Sequence, residues 1–359
     1  LRVAARFGSS KTTLDYQPAP TEVNDLYTWP TFHKGVAAAL SISPDATSLD
    51  NSWILLNQVG LDTPSKSTMG LPTETNLALA AHAGLLFGLG LNRHLKHMVS
   101  WQAFHYLAVK HTPTSVGVLL GLAAAYRGTV DSTIARLLAV HVPALMPPNA
   151  SDLQHSPSTI VAGLIGTGLL YAESCHRRTV EILQQEVTGP RPVGLPVPDP
   201  TVTQDDQSES YALGAGIALG LVTLARGERA TGLADLKLVD SLRVWIDDPP
   251  GYSGHNSGNS GMVQNTAFGS YLDPLGVREN QSLGAVFPPT HSREPGSVLG
   301  STPKLTLART TAAIWALAMM YHRTNDPWVV QVLSLPNSSY RLKKFHPTVA
   351  LLRSLGRWL

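Results

Sequence analysis

Pairs of small residues spaced four positions apart recur along this chain, each inside a segment rich in Leu, Val and Ala. Residues four apart share one face of an α-helix, so each pair leaves a flat stripe that a neighbouring backbone can approach. Glycine inside a helix costs about 1 kcal/mol relative to alanine, and close helix packing is the natural compensation. The pattern predicts an all-α array of helix pairs, with packing residues at Gly35, Ala39, Gly84, Gly88, Gly117, Gly121, Ala162, Gly166, Gly216, Gly220, Ala312 and Ala316.

The clearest repeat unit lies in the first half of the chain. Apolar residues at helical spacing predict a helix over Ser115–Tyr126. Gly128 then suits the left-handed position that ends many helices. Thr129 or Asp131 can cap the second helix, which Pro143 stops. The same plan predicts further helices over 160–172, 179–187, 208–225 and 305–321.

The repeats do not account for the whole chain. Three prolines among the first residues predict an extended lead-in over 1–29. Residues 30–359 form one predicted repeat domain, in which 246–303 is a long, partly disordered insertion rich in Gly, Ser, Asn and Pro. The chain opens with Leu1 and shows no signal peptide, so we interpret it as a piece of a longer protein.

Composition narrows the class of protein. Hydrophobic residues make up 43% of the chain and charged residues 14%, which argues against global disorder. A net charge of +2 produces no overall electrostatic attraction for nucleic acid or an anionic membrane. No apolar run reaches the length of a membrane span. With Cys175 as the single cysteine, no disulfide can form within the chain, and an intracellular location is expected.

Several short stretches resemble one known repeat family. They are Thr31–Ala38, Ala83–Leu86, His141–Leu145, Glu209–Ala212 and Ala316–Tyr321. In this order they resemble proteasome/cyclosome repeats over about residues 30–359. The match is closer to the large scaffold subunits of the anaphase-promoting complex than to the proteasome subunits. Arg93 stands where that family tends to have glycine.

The resemblance implies a fold and a role. It implies a closed or nearly closed toroid of α-helix pairs in two concentric layers. It also implies a scaffold without catalytic activity in a multisubunit ubiquitin ligase of the cell cycle, located in nucleus and cytoplasm. The partners expected from it are the Doc-domain subunit, the cullin-like subunit and the tetratricopeptide-repeat subunits, and no cofactor is expected.

The sequence offers no convincing catalytic or metal motif. Gly88–Arg93 imitates a dinucleotide fingerprint but lacks its third glycine and follows no predicted strand. Cys175 and His176 are adjacent and would point about 100° apart on a helix, which disfavours a thiolate–imidazole pair. His94 and His97 lack the further ligands that zinc needs. We therefore expect no catalytic, cofactor-binding or metal-binding residues.

Two other functions stay open at this point. One is a scaffold subunit of the proteasome regulatory particle. The other, from a different class, is an (α/α)-barrel hydrolase or lyase, which would need carboxylates or histidines gathered on the loops at one end. Ser/Thr-Pro dipeptides are candidate phosphorylation sites, although proline also favours loops and helix starts by itself. They occur at Ser43, Thr63, Thr112, Ser156 and Thr302.

Overall fold

The computed structural model is a row of helix pairs preceded by a short hairpin. It describes residues 2–7, 10–15, 20–46, 49, 51–57, 73–98, 100–146, 155–188, 204–230, 232–247, 303–335, 337 and 346–358. The elements are strands β1 (Arg2–Phe7) and β2 (Ser10–Asp15) and helices α1 (Pro20–Leu40), α2 (Asn51–Leu56), α3 (Thr73–Leu91), α4 (Ser100–Ala108), α5 (Thr112–Ala125), α6 (Ser132–Ala139), α7 (Pro157–Leu170), α8 (Arg177–Thr188), α9 (Gln204–Val222), α10 (Leu238–Asp247), α11 (Pro303–Met320), α12 (Pro327–Val332) and α13 (Pro347–Trp358).

The odd-numbered helices form one continuous layer. Each packs against the next odd helix in chain order, from α1 to α13. Neighbouring helices in this layer run parallel, because contacts advance in the same direction along both. Gly117 lies against Ala83 and Gly121 against Leu86, for example. Parallel neighbours need a returning segment between them, and the even-numbered helices supply it.

The two layers differ in how apolar residues are distributed. Nearly all of α5 is buried, and α7 is likewise apolar around most of its circumference. Helices α6 and α8 instead bury a single stripe, such as Ile134, Leu137 and Leu138 in α6. A helix that is apolar on all sides must be enclosed by others, whereas an amphipathic one covers a surface. The odd helices therefore lie between neighbours, and α4, α6, α8 and α10 pack beside them.

Helix starts carry capping groups that the apolar pattern does not mark. The Asp131 carboxylate accepts hydrogen bonds from the amides of Thr133 (2.9 Å) and Ile134 (3.0 Å) at the start of α6. Ser156 caps α7 and Asp326 caps α12 in the same way. Such bonds satisfy amides that have no partner within the helix. Asp131, and not Thr129, is thus the cap of the second helix in the clearest unit.

The first residues differ from the predicted lead-in. Segment 1–29 is not a single extended stretch, since β1 and β2 pair antiparallel, with Arg2 opposite Asp15 and Phe7 opposite Ser10. Helix α1 already begins at Pro20 and continues through Pro30. Proline is accepted at a helix start, where its missing amide hydrogen is not needed, and within a helix it removes one hydrogen bond. Reading these prolines as helix breakers placed the boundary about ten residues too late.

The helices on either side of the predicted insertion end and begin near its limits. Helix α10 ends at Asp247 and α11 begins at Pro303, which are close to the limits of the predicted insertion. Residues 248–302 lie outside the described residues. The all-α class is confirmed, and β1 and β2 are the strands found in the described part of the chain. Closure of the array into a toroid stays a prediction.

Two hydrophobic cores run along the array and meet at α7. The first extends from Phe32 in α1 to Leu138 in α6 and includes Ala162 and Leu170 of α7. The second includes Ile160 and Leu164 of the same helix and continues to α13. Because α7 contributes to both cores, the two halves of the array are joined through shared packing.

Candidate functional site

The small residues lie at the contacts between odd helices. A Cβ atom added at Gly121 would be 2.8 Å from the carbonyl oxygen of Leu86, and one added at Gly216 would be 2.6 Å from the Cβ of Ala312. Real Cβ atoms do not approach other atoms so closely. At Gly35, Gly84 and Gly117 the added atom would meet backbone of the neighbouring odd helix even more closely. Backbone has little freedom to move, so these positions accept only glycine without a shift.

The other predicted packing residues share this environment. Gly88 faces Ala39, Gly166 faces Leu138 and Ala123, and Gly220 faces Met319 and Ala316. Ala39, Ala162, Ala312 and Ala316 are buried. Most of the predicted residues thus lie in one spine of close contacts between consecutive odd helices from α1 to α11, whereas Gly166 lies nearest to Leu138 of α6 and Ala162 is buried in the first core.

Sequence reasoning missed two members of this spine. A Cβ at Gly90 would strike the backbone of Gly121, and one at Gly168 would lie 2.6 Å from the Cα of Ala218. Both follow a predicted glycine by two residues, at Gly88 and Gly166. Residues two apart in a helix lie on opposite sides, so the second glycine serves the next neighbour. A glycine repeated at that spacing is the signal that would have found them.

Hydrogen bonds between repeats form a second series of contacts. The amides of Gly128 and Val130, in the turn after α5, donate to the carbonyl oxygens of Leu169 (3.1 Å) and Leu170 (3.3 Å). The amides of Glu173 and Cys175 donate in the same way to Leu221 and Val222, and that of Ala225 to Met319. These acceptors lie at the C-terminal ends of the following odd helices, where carbonyl groups have no partner within the helix. We call this series the turn ladder.

Left-handed backbone conformation accompanies the turn ladder. Each of the five donors has a positive φ, from 51° at Cys175 to 70° at Gly128. Only one of them is glycine, so sequence alone gave little sign of the pattern. Arg93, which replaces the glycine typical of the resembled family, also has a positive φ of 66°. The turn therefore keeps the conformation that glycine favours, although arginine occupies it.

Cys175 and His176 lie in the turn between α7 and α8 and not within a helix as the sequence analysis assumed. The Nδ1 atom of His176 is hydrogen-bonded to the hydroxyl of Thr179 at 2.9 Å. Burial raises the pKa of the neighbouring Cys175 thiol, which disfavours the nucleophilic thiolate. In the part of the chain that the structure describes, no three His, Cys, Asp or Glu side chains are grouped so as to hold a metal ion. None of the described helices is long and apolar enough to cross a membrane.

The candidate phosphorylation sites occupy different environments. Ser43 is exposed, and its hydroxyl accepts a hydrogen bond from the amide of Asp45. Thr112 is the first residue of α5, and Ser156 caps α7; both are half-buried. Thr63 and Thr302 lie outside the described residues. Whether any of these hydroxyls is modified stays a prediction.

Two family models together match nearly the whole chain. Residues 1–127 match the model described as APC1 fourth domain, and residues 132–359 match the model described as APC1 fifth domain. The models meet in the turn between α5 and α6. The sequence prediction had placed 30–359 in one domain, and α5 packs directly against α7 across this boundary.

Similar proteins occur in distant eukaryotes. The chain is 35% identical to "Anaphase-promoting complex subunit 1" of Schizosaccharomyces pombe over 96% of its length, and 32% identical to the Homo sapiens protein of the same name over all of it. It is 34% identical to "Negative regulator of mitosis" of Emericella nidulans over 92% of its length. The chain spans 18%, 16% and 13% of these three relatives, respectively. With models of two consecutive domains matched along its length, the chain belongs to the family of anaphase-promoting complex subunit 1.

Proposed function

We propose that this chain is a scaffold domain of the anaphase-promoting complex, or cyclosome, a multisubunit ubiquitin ligase of the cell cycle. Its role is structural: it holds other subunits in fixed relative positions and catalyses no step itself. The observation that carries the proposal is the spine of close contacts between consecutive odd helices from α1 to α11. Such a spine makes a stiff body whose outer helices and connections are free to bind partners.

The distribution of charged groups among the described residues supports a binding role. An (α/α)-barrel hydrolase or lyase would need acid–base groups gathered at one end of the helices. On this side the described residues form two ion pairs between repeats, Arg127–Glu173 and Arg177–Asp235, whose exposed positions make them weak. Those residues belong to the packing of neighbouring turns.

The partners and location proposed follow from the family. We expect the complex to include a Doc-domain subunit, a cullin-like subunit and tetratricopeptide-repeat subunits, present in nucleus and cytoplasm. No nucleic acid, membrane or small-molecule substrate is expected to bind this domain as part of that role.

Affinity purification tests the proposal. A tagged full-length protein should recover the cullin-like and tetratricopeptide-repeat subunits, identified by mass spectrometry, and an internal deletion of residues 20–358 should lose part of that set. Full recovery by the deleted protein would remove the scaffold role from this segment. Recovery of ATPase-ring subunits would favour the proteasome alternative.

Catalysis is tested separately on the isolated chain. Incubated with ubiquitin, a ubiquitin-activating enzyme and a ubiquitin-conjugating enzyme, it should form no ubiquitin chains beyond the background without it. Chain formation that depends on this protein would contradict a purely structural role.

A further inference from the structure

A polar cavity lies between the N-terminal ends of α5 and α7, at the end of the array opposite the turn ladder. Its volume is about 100 Å³, several times what one water molecule needs. It is lined by Leu107, Lys110, Thr112, Ser115, His141, His155, Ser156 and Thr159. Nothing in the scaffold role requires a cavity of this composition.

Two of the lining side chains are almost fully buried and have unused hydrogen-bonding atoms. Ser115 and His141 are each 6% exposed. Among the described contacts the Ser115 hydroxyl has no hydrogen-bond partner, and His141 uses only Nδ1, which donates to the carbonyl oxygen of Leu137 at 2.9 Å. The Nε2 atom of His141 is therefore left for the cavity. Both side chains are more than nine-tenths buried while these two atoms open into the cavity, where a ligand can reach them.

The electrostatic character of the cavity favours an anion. Lys110 supplies a positive charge, and no carboxylate is among the described lining residues. Helices α5 and α7 each have 14 residues and direct the positive ends of their dipoles to this region. Ser156 caps α7, whereas no side chain caps α5. Pro113 has no amide hydrogen and the Ser115 amide donates to the carbonyl oxygen of His111, which leaves the Thr112 amide for the cavity. A helix start with free amides readily binds an oxyanion.

The histidines determine how the anion would be held. The rings of His141 and His155 lie 4.6 Å apart, and Nε2 of His155 donates to the carbonyl oxygen of Val140 at 3.2 Å. With Nδ1 donating, neutral His141 presents a lone pair at Nε2. An oxyanion oxygen can bind there only with a proton between the two atoms. The ligand must therefore arrive with a proton, as monoprotonated phosphate does, or the imidazole must take one up.

We propose that this cavity is a binding site for a phosphate-sized oxyanion, taken up together with one proton. The hydroxyl of Ser115, the ammonium of Lys110 and the amide of Thr112 hold the anion, and His141 shares the proton with it. The oxyanion is either free phosphate or the phosphoryl group of a phosphorylated peptide. His155 faces His141 across the cavity and opposes its protonation when charged, and Lys110 acts in the same way on His155.

Calorimetric titration of the full chain with sodium phosphate at about pH 6, against sodium chloride of equal ionic strength, tests the site. We expect saturable binding of one phosphate per chain. Ser115→Ala and Lys110→Gln should each weaken it by about tenfold, since each removes a bond to a charged group. Ser132→Ala and Lys96→Gln, which alter an exposed serine and an exposed lysine outside the cavity, should bind like the parent.

Two further measurements distinguish free phosphate from a phosphorylated peptide and test whether binding takes up a proton. Tighter binding of the blocked peptide Gly-phosphoSer-Gly than of phosphate would identify a phosphorylated peptide as ligand, and the reverse would identify the free ion. Affinity for sulfate, which carries no proton, should increase as the pH falls from about 7.5 to about 6, because His141 must then charge.

Three results would overturn the proposal. The first is a heat of titration that does not saturate with phosphate. The second is an equal affinity for phosphate in all four variants. The third is binding of Gly-Glu-Gly as tight as that of the phosphorylated peptide. Thermal midpoints measured without phosphate show whether each variant is folded.

Discussion

At the scale of single residues, Val130 is held in an unfavourable conformation. Its φ is 56°, a region that β-branched residues rarely adopt, because its amide donates to Leu170 in the turn ladder. Asparagine enters this region more easily. We expect Val130→Asn to raise the free energy of unfolding by about 1 kcal/mol, measured by urea denaturation.

The control for this substitution is Val140→Asn. Val140 is 42% exposed, close to the 38% of Val130, but its φ is −61°. Asparagine there relieves no strain and should be neutral or slightly destabilising. If both substitutions had the same effect, the conformation of Val130 would not be strained.

Three buried histidines couple stability to pH. Burial lowers the pKa of His82, His111 and His141 to about 4. An unfolded histidine takes up its proton near pH 6.5, so between about pH 6.5 and 4 the unfolded chain binds more protons than the folded one. Stability should be full above about pH 6.5 and fall on acidification, by up to about 3 kcal/mol per histidine.

Urea unfolding at a series of pH values measures this effect. His111 is hydrogen-bonded to Asn76 and Thr114, and His111→Gln should reduce the pH dependence while His33→Gln, at an exposed position, should leave it unchanged. A constant free energy of unfolding between about pH 7 and 5 would contradict the buried neutral state.

At the scale of elements, the spine of small residues sets the distance between odd helices. Gly121→Ala places a methyl group 2.8 Å from the carbonyl oxygen of Leu86, and Gly121→Leu adds three more carbons. We expect the alanine variant to be neutral to destabilised, without the gain of alanine in an open helix. The leucine variant should lose at least about 1–3 kcal/mol or be insoluble. Thermal midpoints by circular dichroism compare the two.

Gly214→Ala is the matched control within an odd helix. Its added Cβ would lie 3.1 Å from a methyl group of Val161, which is a side chain that can adjust. It should be tolerated better than Gly121→Ala. A Gly121→Leu variant as stable as the parent would mean that the glycines do not mark close packing.

The helices were predictable because close packing between them requires small residues at helical spacing in the sequence. Predicted segments 115–126 and 160–172 correspond to α5 at Thr112–Ala125 and α7 at Pro157–Leu170. Both helices begin three residues earlier than predicted, because their first turns carry proline and polar residues outside the apolar pattern. The turn ladder was not predictable, since Val130, Glu173, Cys175 and Ala225 adopt positive φ values that only neighbouring repeats impose. The oxyanion cavity was likewise hidden, because it joins residues from Leu107 to Thr159 that share no motif.

At the scale of the whole molecule, the boundary between the two family models cuts through a core. Leu137 and Leu138 of α6 lie after residue 127 but belong to the first hydrophobic core, as does Leu170 of α7. A chain ending at residue 127 would expose the apolar groups they cover, at about 1.5–3 kcal/mol for each buried leucine. We expect residues 1–127 to aggregate or melt well below a chain of residues 1–176, as judged by circular dichroism. Equal thermal midpoints would show that the fourth domain is stable by itself.

The turn ladder also divides the array into two rims that differ in their freedom to change length. Connections on the ladder side after α5, α7 and α11 are six residues each, 126–131, 171–176 and 321–326, with 223–237 after α9 as the long exception. On the opposite side 140–156, 189–203 and 248–302 link even to odd helices, with 109–111 as the short exception. An insertion beside a donor of the turn ladder would break hydrogen bonds between repeats. The longer connection after α9 keeps its donor, Ala225, close to the helix end. The rim opposite the turn ladder is thus where an engineer can place a fluorescent protein or an affinity tag, and where lineages can add sequence without breaking the turn ladder.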